Sequence, residues 1–130
     1  MSMIGQRILI REDLQFPTGL LAAQVAHIHA LPLIEALKNG AAGEAAGNAF
    51  ESWIDAPYLF VHGAPNVEVL SYLVKKAEEA KIPVLTWSDT VYLKVGDETV
   101  PFENVLIGAS FGPADSDKLK MVFGTLDLLR

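Results

Sequence analysis

The stretch IREDLQFPTGLLAAQVAH occupies residues 10–27 and contains the passage from the first predicted strand into the first predicted helix. The strand is predicted at residues 7–11, RILIR, because a short run of β-branched and leucine residues ends at the charged Glu12 and Asp13. A buried strand followed by a turn and a helix is the opening unit of an α/β fold.

The helix that follows is predicted from residue 19 to residue 38 and to end at Asn39 and Gly40. Its leucines, alanines and isoleucines recur around most of the helix, so we expect it to be deeply packed. Pro32 lies inside this stretch and removes one backbone donor. We therefore expect a kink at Pro32, or two separate helical pieces.

Beyond residue 40, helix and strand patterns alternate. Of all 130 residues, 51% are hydrophobic, which is enough for a core. Parallel crossovers are normally helical, so the alternation predicts an α/β fold with three layers, α/β/α, around a mixed, mostly parallel sheet of about four strands. Residues 1–130 are expected to form one domain. The further predicted elements are a helix at 44–54, a strand at 58–62, a helix from Asn66 to about residue 80, a strand at 83–87, a hairpin around Gly96 and Asp97, a strand at 104–109, and a helix after Ser116 with Gly124 near its end.

The composition excludes some chemistry and disfavours other functions. The chain has no cysteine, which rules out disulfides, thiolate metal sites and a cysteine nucleophile. Its net charge of -6 disfavours tRNA as a partner, because phosphate contacts supply most non-specific affinity for nucleic acid. No stretch matches a signal peptide or a membrane span of roughly 18 apolar residues, so a cytoplasmic protein without membrane contact is expected.

The sequence contains no Walker loop, GxSxG elbow, HExxH helix or GxGxxG fingerprint, and neither a metal nor a cofactor is predicted. The first candidate site lies in the helix, where Leu20, Gln24 and His27 project from one face. Gln24 and His27 could orient water or an ester carbonyl. Alternatively, both are ordinary hydrogen-bonded residues at a helix edge or a dimer interface. His29 faces roughly the opposite way and is expected to be structural.

The second candidate is Asp89, expected immediately after the strand at residues 83–87, because open α/β sheets bind ligands beyond the carboxyl ends of their strands. A carboxylate there could polarise a histidine or water. The alternative is a turn residue that bonds its own nearby amides. Arg11, Glu12 and Asp13 could border the same crevice or form solvated surface, and His62 is open to the same two interpretations.

Three stretches together resemble the type II peptidyl-tRNA hydrolase family, namely residues 10–27, 82–89 (IPVLTWSD) and 104–129. The first is the most specific, since the family pattern is an arginine, aspartate-leucine, glycine-lysine, one residue, alanine-alanine-glutamine, two residues and histidine. The residues that fit this pattern are Arg11, Asp13, Leu14, Gly19, Ala22, Ala23, Gln24 and His27.

This resemblance implies a four-stranded mixed sheet flanked by helices, a homodimer, and cleavage of the ester that joins a peptide to tRNA. It also implies a catalytic group of His27, Gln24 and Asp89. The residues that it places beside the substrate are Arg11, Asp13, Gly19, Leu20 and Asn104.

The sequence departs from the family pattern where function is expected. Leu20 replaces the family lysine, which removes a cation that could stabilise charge on phosphate or on an ester's transition state. Asp89 is followed by Thr90-Val91-Tyr92-Leu93 instead of alanine-glycine and threonine, and either Asn104 or Thr99 stands in for a second family threonine. Two hypotheses follow: a hydrolase acting on peptidyl-tRNA or a related ester, and a non-catalytic dimeric binding protein whose crevice Leu20 and Leu93 make more apolar.

Overall fold

The computed structural model describes residues 3–38, 52–55, 58–124, 126, 128 and 129. Residues 52–55 are helical, whereas residues 44–51 of the helix predicted at 44–54 lie outside the described part of the chain. The main elements, in chain order, are β1 (Ile4–Arg11), α1 (Thr18–Lys38), β2 (Tyr58–Ala64), α2 (Val67–Glu79), β3 (Val84–Val95), β4 (Glu98–Asp115) and α3 (Ser116–Phe123).

The four strands form one sheet in the order β2-β1-β4-β3. Strand β1 pairs with β2 in parallel, while β4 runs antiparallel to both β1 and β3. The prediction of a mixed four-stranded sheet is confirmed, but the expectation that most of its pairs are parallel is wrong. The reason is the two-residue turn at Gly96 and Asp97, which is far too short for a parallel crossover and sends β4 back beside β3.

The three-layer arrangement follows from the alternation of side chains along β1. Ile8 and Ile10 face one side of the sheet and pack with Ile28 of α1. Leu9 faces the other side and packs with Leu70 of α2, in the same cluster as residues of α3. Successive side chains of a strand point to opposite faces, so the sheet is covered by α1 on one side and by α2 and α3 on the other.

Helix α1 is a single helix through Pro32, and only Gln24, Ile28 and Pro32 are buried along it. The expectation of deep packing around most of the helix is therefore wrong: one side meets the sheet, and no other element in the described part of the chain covers the opposite side. Large apolar side chains are exposed there, among them Leu33 at 36% and Leu37 at 84%. The expectation that no stretch is long and apolar enough for a membrane span is wrong for α1, which by length and composition could cross a membrane. Core helices and signal sequences pass the same test.

The close packing of α1 on the sheet depends on Gly108 of β4. A Cβ at this position would overlap the backbone carbonyl oxygen of Leu9 and come within 2.8 Å of Cδ1 of Ile28. Glycine is the residue that permits such close approach between a strand and its neighbours. Gly108 therefore sets the distance between α1 and the middle of the sheet.

Helices α2 and α3 form where the sequence predicts them. Asn66 caps α2, its side-chain Oδ1 accepting a hydrogen bond of 3.0 Å from the backbone nitrogen of Val69. Helix α3 begins at Ser116 and ends at Gly124, whose φ of 56° lies in the left-handed region that commonly ends helices. The strand predicted at 58–62 is also confirmed and extends to Ala64.

Candidate functional site

A chain of hydrogen bonds joins α1 to β3. The indole Nε1 of Trp87 donates to Oε1 of Gln24 over 2.7 Å, and Nε2 of Gln24 donates to Oδ2 of Asp89 over 3.1 Å. The other carboxylate oxygen, Oδ1, accepts a 2.8 Å bond from the backbone nitrogen of Thr90. Because an indole nitrogen only donates, it fixes which end of the Gln24 amide faces the carboxylate. Asp89 is thus held in one orientation.

Gln24 is only 4% exposed and lies on the buried side of α1. A buried amide is costly unless its polar atoms are paired, and here Trp87 and Asp89 pair both ends. Trp87 and Asp89 are two residues apart on β3, and both reach Gln24 across the gap between helix and sheet. Gln24 therefore positions the Asp89 carboxylate through its two hydrogen bonds across the helix–sheet interface.

His27 lies one turn after Gln24 and is exposed. Its ring stacks on that of Trp87, with a centroid distance of 4.9 Å and an interplanar angle of 19°. Among the described residues, none makes a hydrogen bond to its imidazole nitrogens. Gln24 and His27 thus contact Trp87 directly, one by a hydrogen bond and the other by ring stacking, and Asp89 is joined to Trp87 through Gln24.

The sequence predicts that Asp89 follows the end of a strand, and this prediction is wrong. Asp89 lies inside the twelve-residue strand β3. The predicted strand at 83–87 and the first arm of the predicted hairpin are one continuous strand, because β4 pairs along its whole length. The ladder is irregular at this point: Asp89 pairs with Val105 and Val91 with Phe102, so two residues face Thr90. This is a β-bulge, a feature that often re-aims side chains beside active sites.

Asn104 is one of the two residues in this bulge and is exposed. Its φ of 54° lies in the left-handed region, which asparagine adopts more readily than most residues. Thr99 instead pairs with Lys94 beside the hairpin turn, five residues along β3 from Asp89, which corresponds to about 16 Å. Of the two candidates for the family threonine, Asn104 is the one beside Asp89.

Arg11 and Asp13 pair with each other at the end of β1. Nε and Nη2 of Arg11 donate to Oδ1 and Oδ2 of Asp13 over 3.0 and 2.7 Å. These hydrogen bonds lower the pKa of the Asp13 carboxyl below its ordinary value. Nη1 of Arg11 also donates to the carbonyl of Leu106, the partner of Ser88 in β3. The pair thus ties the end of β1 to β4, the strand that carries Asn104.

The other two histidines have structural partners. His62 is buried; its Nε2 accepts a 2.7 Å bond from Arg7, and its Nδ1 lies 3.2 Å from the carbonyl of Leu126. His29 places Nδ1 2.6 Å from Oε1 of the buried Gln6. The His62 ring also stacks on Phe123 of α3, with ring centroids 4.7 Å apart. The contact with Gln6 agrees with the structural role expected for His29.

Trp87 is the site residue that the sequence does not single out. The signal for it is the spacing in TWSD, which puts an indole donor two residues before the carboxylate on the same strand. No group of three or more histidine, aspartate or glutamate side chains placed to hold a metal ion occurs in the described ranges of the chain.

Residues 4–129 match the family model described as peptidyl-tRNA hydrolase PTH2. The match covers nearly the whole chain. This chain belongs to the peptidyl-tRNA hydrolase PTH2 family. A search of curated proteins found no significant match.

The first turn of α1 differs from the family's sequence pattern at one position. Gly19 and Leu20 lie exposed in the first turn of α1, and Leu20 presents an aliphatic side chain, 45% exposed, in place of the family lysine. A Cβ at Gly19 would meet nothing within 4 Å, so packing within the chain does not require glycine there. Leu93 packs against the core on α1's side of the sheet, so Leu20 is the more open of the two apolar residues.

Proposed function

We propose that this PTH2 family protein hydrolyses the ester bond between an acyl or peptidyl group and the ribose of tRNA, or a related ester, at the site around Trp87. The observation that carries the proposal is the hydrogen-bond chain from Trp87 through Gln24 to Asp89. It fixes a partly buried carboxylate, and the exposed imidazole of His27 stacks on the indole from which the chain starts. A proton acceptor and a proton donor on the same cluster are the groups that acid–base catalysis uses.

In the proposed reaction, Asp89 accepts a hydrogen bond from a water molecule and takes its proton as the oxygen attacks the ester carbonyl carbon. Each carboxylate oxygen already accepts one hydrogen bond and has a lone pair left for this water. The bond between the carbonyl carbon and the ribose oxygen then breaks, and His27 supplies a proton to the departing oxygen. The hydroxyl of the water is thereby added to the acyl group, and the ribose oxygen receives its proton from His27. Transfer of the proton held by Asp89 to His27 completes the hydrolysis.

The charge of the protein affects how well it can bind an ester that is attached to tRNA. Leu20 gives no cation to a phosphate, and the net charge of -6 repels a polyanion. We therefore propose weaker binding of tRNA than a lysine at position 20 would allow. The same observation favours a second candidate function, a non-catalytic binding protein that accepts an apolar ligand beside Leu20.

Turnover of peptidyl-tRNA and of a small acyl-nucleoside ester separates the two candidates. Asp89→Asn is expected to lower kcat/KM about 100-fold or more on both esters, and His27→Ala to lower it similarly. Trp87→Phe keeps a ring beneath His27 but removes the donor to Gln24, so kcat is expected to fall about tenfold with KM little changed. Asp97→Asn at the hairpin turn is the matched control and should change neither constant.

Leu20→Lys is expected to raise kcat/KM on peptidyl-tRNA and to leave the small ester unaffected, because the added cation contacts only phosphate. Absence of turnover by the wild-type chain on both esters, with Leu20→Lys equally inactive, would reject the hydrolase and support the binding protein.

We also propose that the protein acts in the cytoplasm as a homodimer joined through the outer side of α1. Ala22, Ala23, Ala26 and Leu37 lie exposed on this side. The helix has no charged residue before Glu35, so two copies can approach here without opposing charges. Its small side chains allow two helix backbones to come close together.

A further inference from the structure

An open cleft of about 570 Å³ lies at the carboxyl ends of β1 and β2. Arg11 and Leu21 border it, but Gln24, His27 and Asp89 do not line it. The cleft is therefore adjacent to the site around Trp87 and separate from it.

The topology of the sheet accounts for this cleft. Strands β1 and β2 are parallel neighbours, and the chain leaves β1 into α1 on one face of the sheet and leaves β2 into α2 on the other. Where adjacent parallel strands lead into helices on opposite faces, the two connections separate and leave a crevice beyond the strand ends. Ligands of open α/β sheets commonly bind at such a point.

The unneutralised charge in the cleft is negative. Arg11 is paired with Asp13 by two hydrogen bonds, so its charge is compensated. The Glu12 side chain lies directly over Gly63, where a Cβ would overlap its carboxylate. In the described part of the chain, no lysine, arginine or histidine forms an ion pair with Glu12. The missing side chain of Gly63 thus makes room for a free carboxylate inside the cleft.

The other walls are largely apolar. Phe16 and Leu21 form the side towards α1, and Leu126 and Leu129 form the side towards the end of the chain. The latter wall is tied to the sheet, because the backbone nitrogen of Leu129 donates to the carbonyl of Val61 over 2.9 Å. The cleft therefore combines one carboxylate with aliphatic and aromatic side chains, and one of its walls is hydrogen-bonded to β2.

We propose that this cleft binds the free amino terminus of a peptide that begins with large apolar side chains. The terminal ammonium pairs with the Glu12 carboxylate, and the first side chains lie against Phe16, Leu21 and Leu129. A free carboxylate or phosphate is disfavoured, because the one cation in the described lining, Arg11, already holds Asp13. The proposal stands apart from ester hydrolysis, since binding is measured without turnover.

The test is a titration of the ¹⁵N-labelled full chain with leucyl-phenylalanine amide, followed by NMR. The amides of Gly63, Leu128 and Leu129 are expected to shift progressively with peptide concentration. The N-acetylated peptide, which has the same side chains without the positive charge, is expected to bind about tenfold more weakly. 3-Phenylpropionate, which has an aromatic ring and a carboxylate in place of an ammonium group, is expected to produce no shift at these amides.

Two variants change the carboxylate in different ways. Glu12→Gln removes its charge, and Gly63→Ala displaces it from its place, so each is expected to weaken the free-amine peptide about five- to tenfold. Glu79→Gln is the matched control, since Glu79 is exposed in the last turn of α2, at the opposite end of the sheet. It should leave binding unchanged.

Equal binding of the free and acetylated peptides, or shifts that fall outside the cleft, would overturn the proposal. The comparison of peptides uses only wild-type protein, so it decides the matter even if Gly63→Ala fails to fold. Loss of ester turnover in the Asp89→Asn variant with peptide binding retained would show that the two functions are separate.

Discussion

At the residue scale, the pairing of Arg11 with Asp13 links the chemistry of the site's border to stability. The pKa of Asp13 is lower in the folded chain, chiefly because Arg11 donates hydrogen bonds to its carboxylate. A group with a lowered folded pKa stabilises the protein fully above its unfolded pKa, about 3.9 for aspartate. This stabilisation is lost as the pH falls through the folded value.

Asp13→Asn is expected to lower the free energy of unfolding by about 0.5 kcal/mol at pH 7, a small effect because a third of the Asp13 side chain is exposed and solvent screens the pair. The difference from wild type should shrink as the pH falls below the unfolded pKa of about 3.9, and it should vanish once the Asp13 carboxyl is protonated in the folded chain as well. Urea unfolding at a series of pH values measures it, with Asp97→Asn as the control. A difference that persists undiminished at acid pH would contradict the ion-pair explanation.

The candidate site could be predicted in part from residue spacing. The positions of Gln24 and His27 on α1 indicate a shared face, and the resemblance to the family points to Asp89. The role of Trp87 could not be read from the sequence, because it depends on which side chain of β3 faces Gln24 once β3 has paired with β4. Asn104 and Thr99 could be told apart only by the register of that pairing.

At the scale of the elements, the packing of α1 on β4 depends on a glycine. Gly108→Ala is expected to destabilise the protein by about 1–3 kcal/mol, because the new methyl group would overlap the backbone of β1 and push against Ile28. Gly19→Ala adds the same methyl group within α1 where nothing lies within 4 Å, and it should be neutral or stabilising. Urea denaturation of both variants measures the difference. Equal stability of the two would show that the helix can shift without cost.

Most elements could be predicted from local signals, and the errors came from distant contacts. Capping by Asn66 and the glycine after α3 are local, and the sequence locates both helices correctly. The apolar pattern of α1 indicates a helix but not how much of it is covered, since that depends on the neighbours that the fold supplies. Strand β3 continues through Asp89 because β4 pairs with it on both sides of the bulge, which no local pattern indicates.

At the scale of the whole molecule, the exposed side of α1 predicts self-association. Wild-type protein is expected to migrate at twice 14.1 kDa in size-exclusion chromatography with light scattering. Ala26→Glu puts a charge in the middle of the apolar side and should shift the population to monomer. Ser71→Glu, which adds the same charge to the exposed side of α2, should leave the dimer intact. A wild-type protein that stays monomeric at high concentration would exclude this interface.

The outer half of the β3–β4 hairpin is expected to be less stable than the rest of the sheet. Strand β1 pairs with β4 between Gly108 and Asp115, so the segment of β4 before Gly108 has β3 as its sole partner among the described strands. A ribbon of two strands is marginally stable by itself, and amide hydrogens near its tip should exchange with solvent sooner than those at residues 108–111. Asp89 and Asn104 stand where the pliant ribbon joins the rigid sheet, so a bound ligand would stiffen the ribbon from its base.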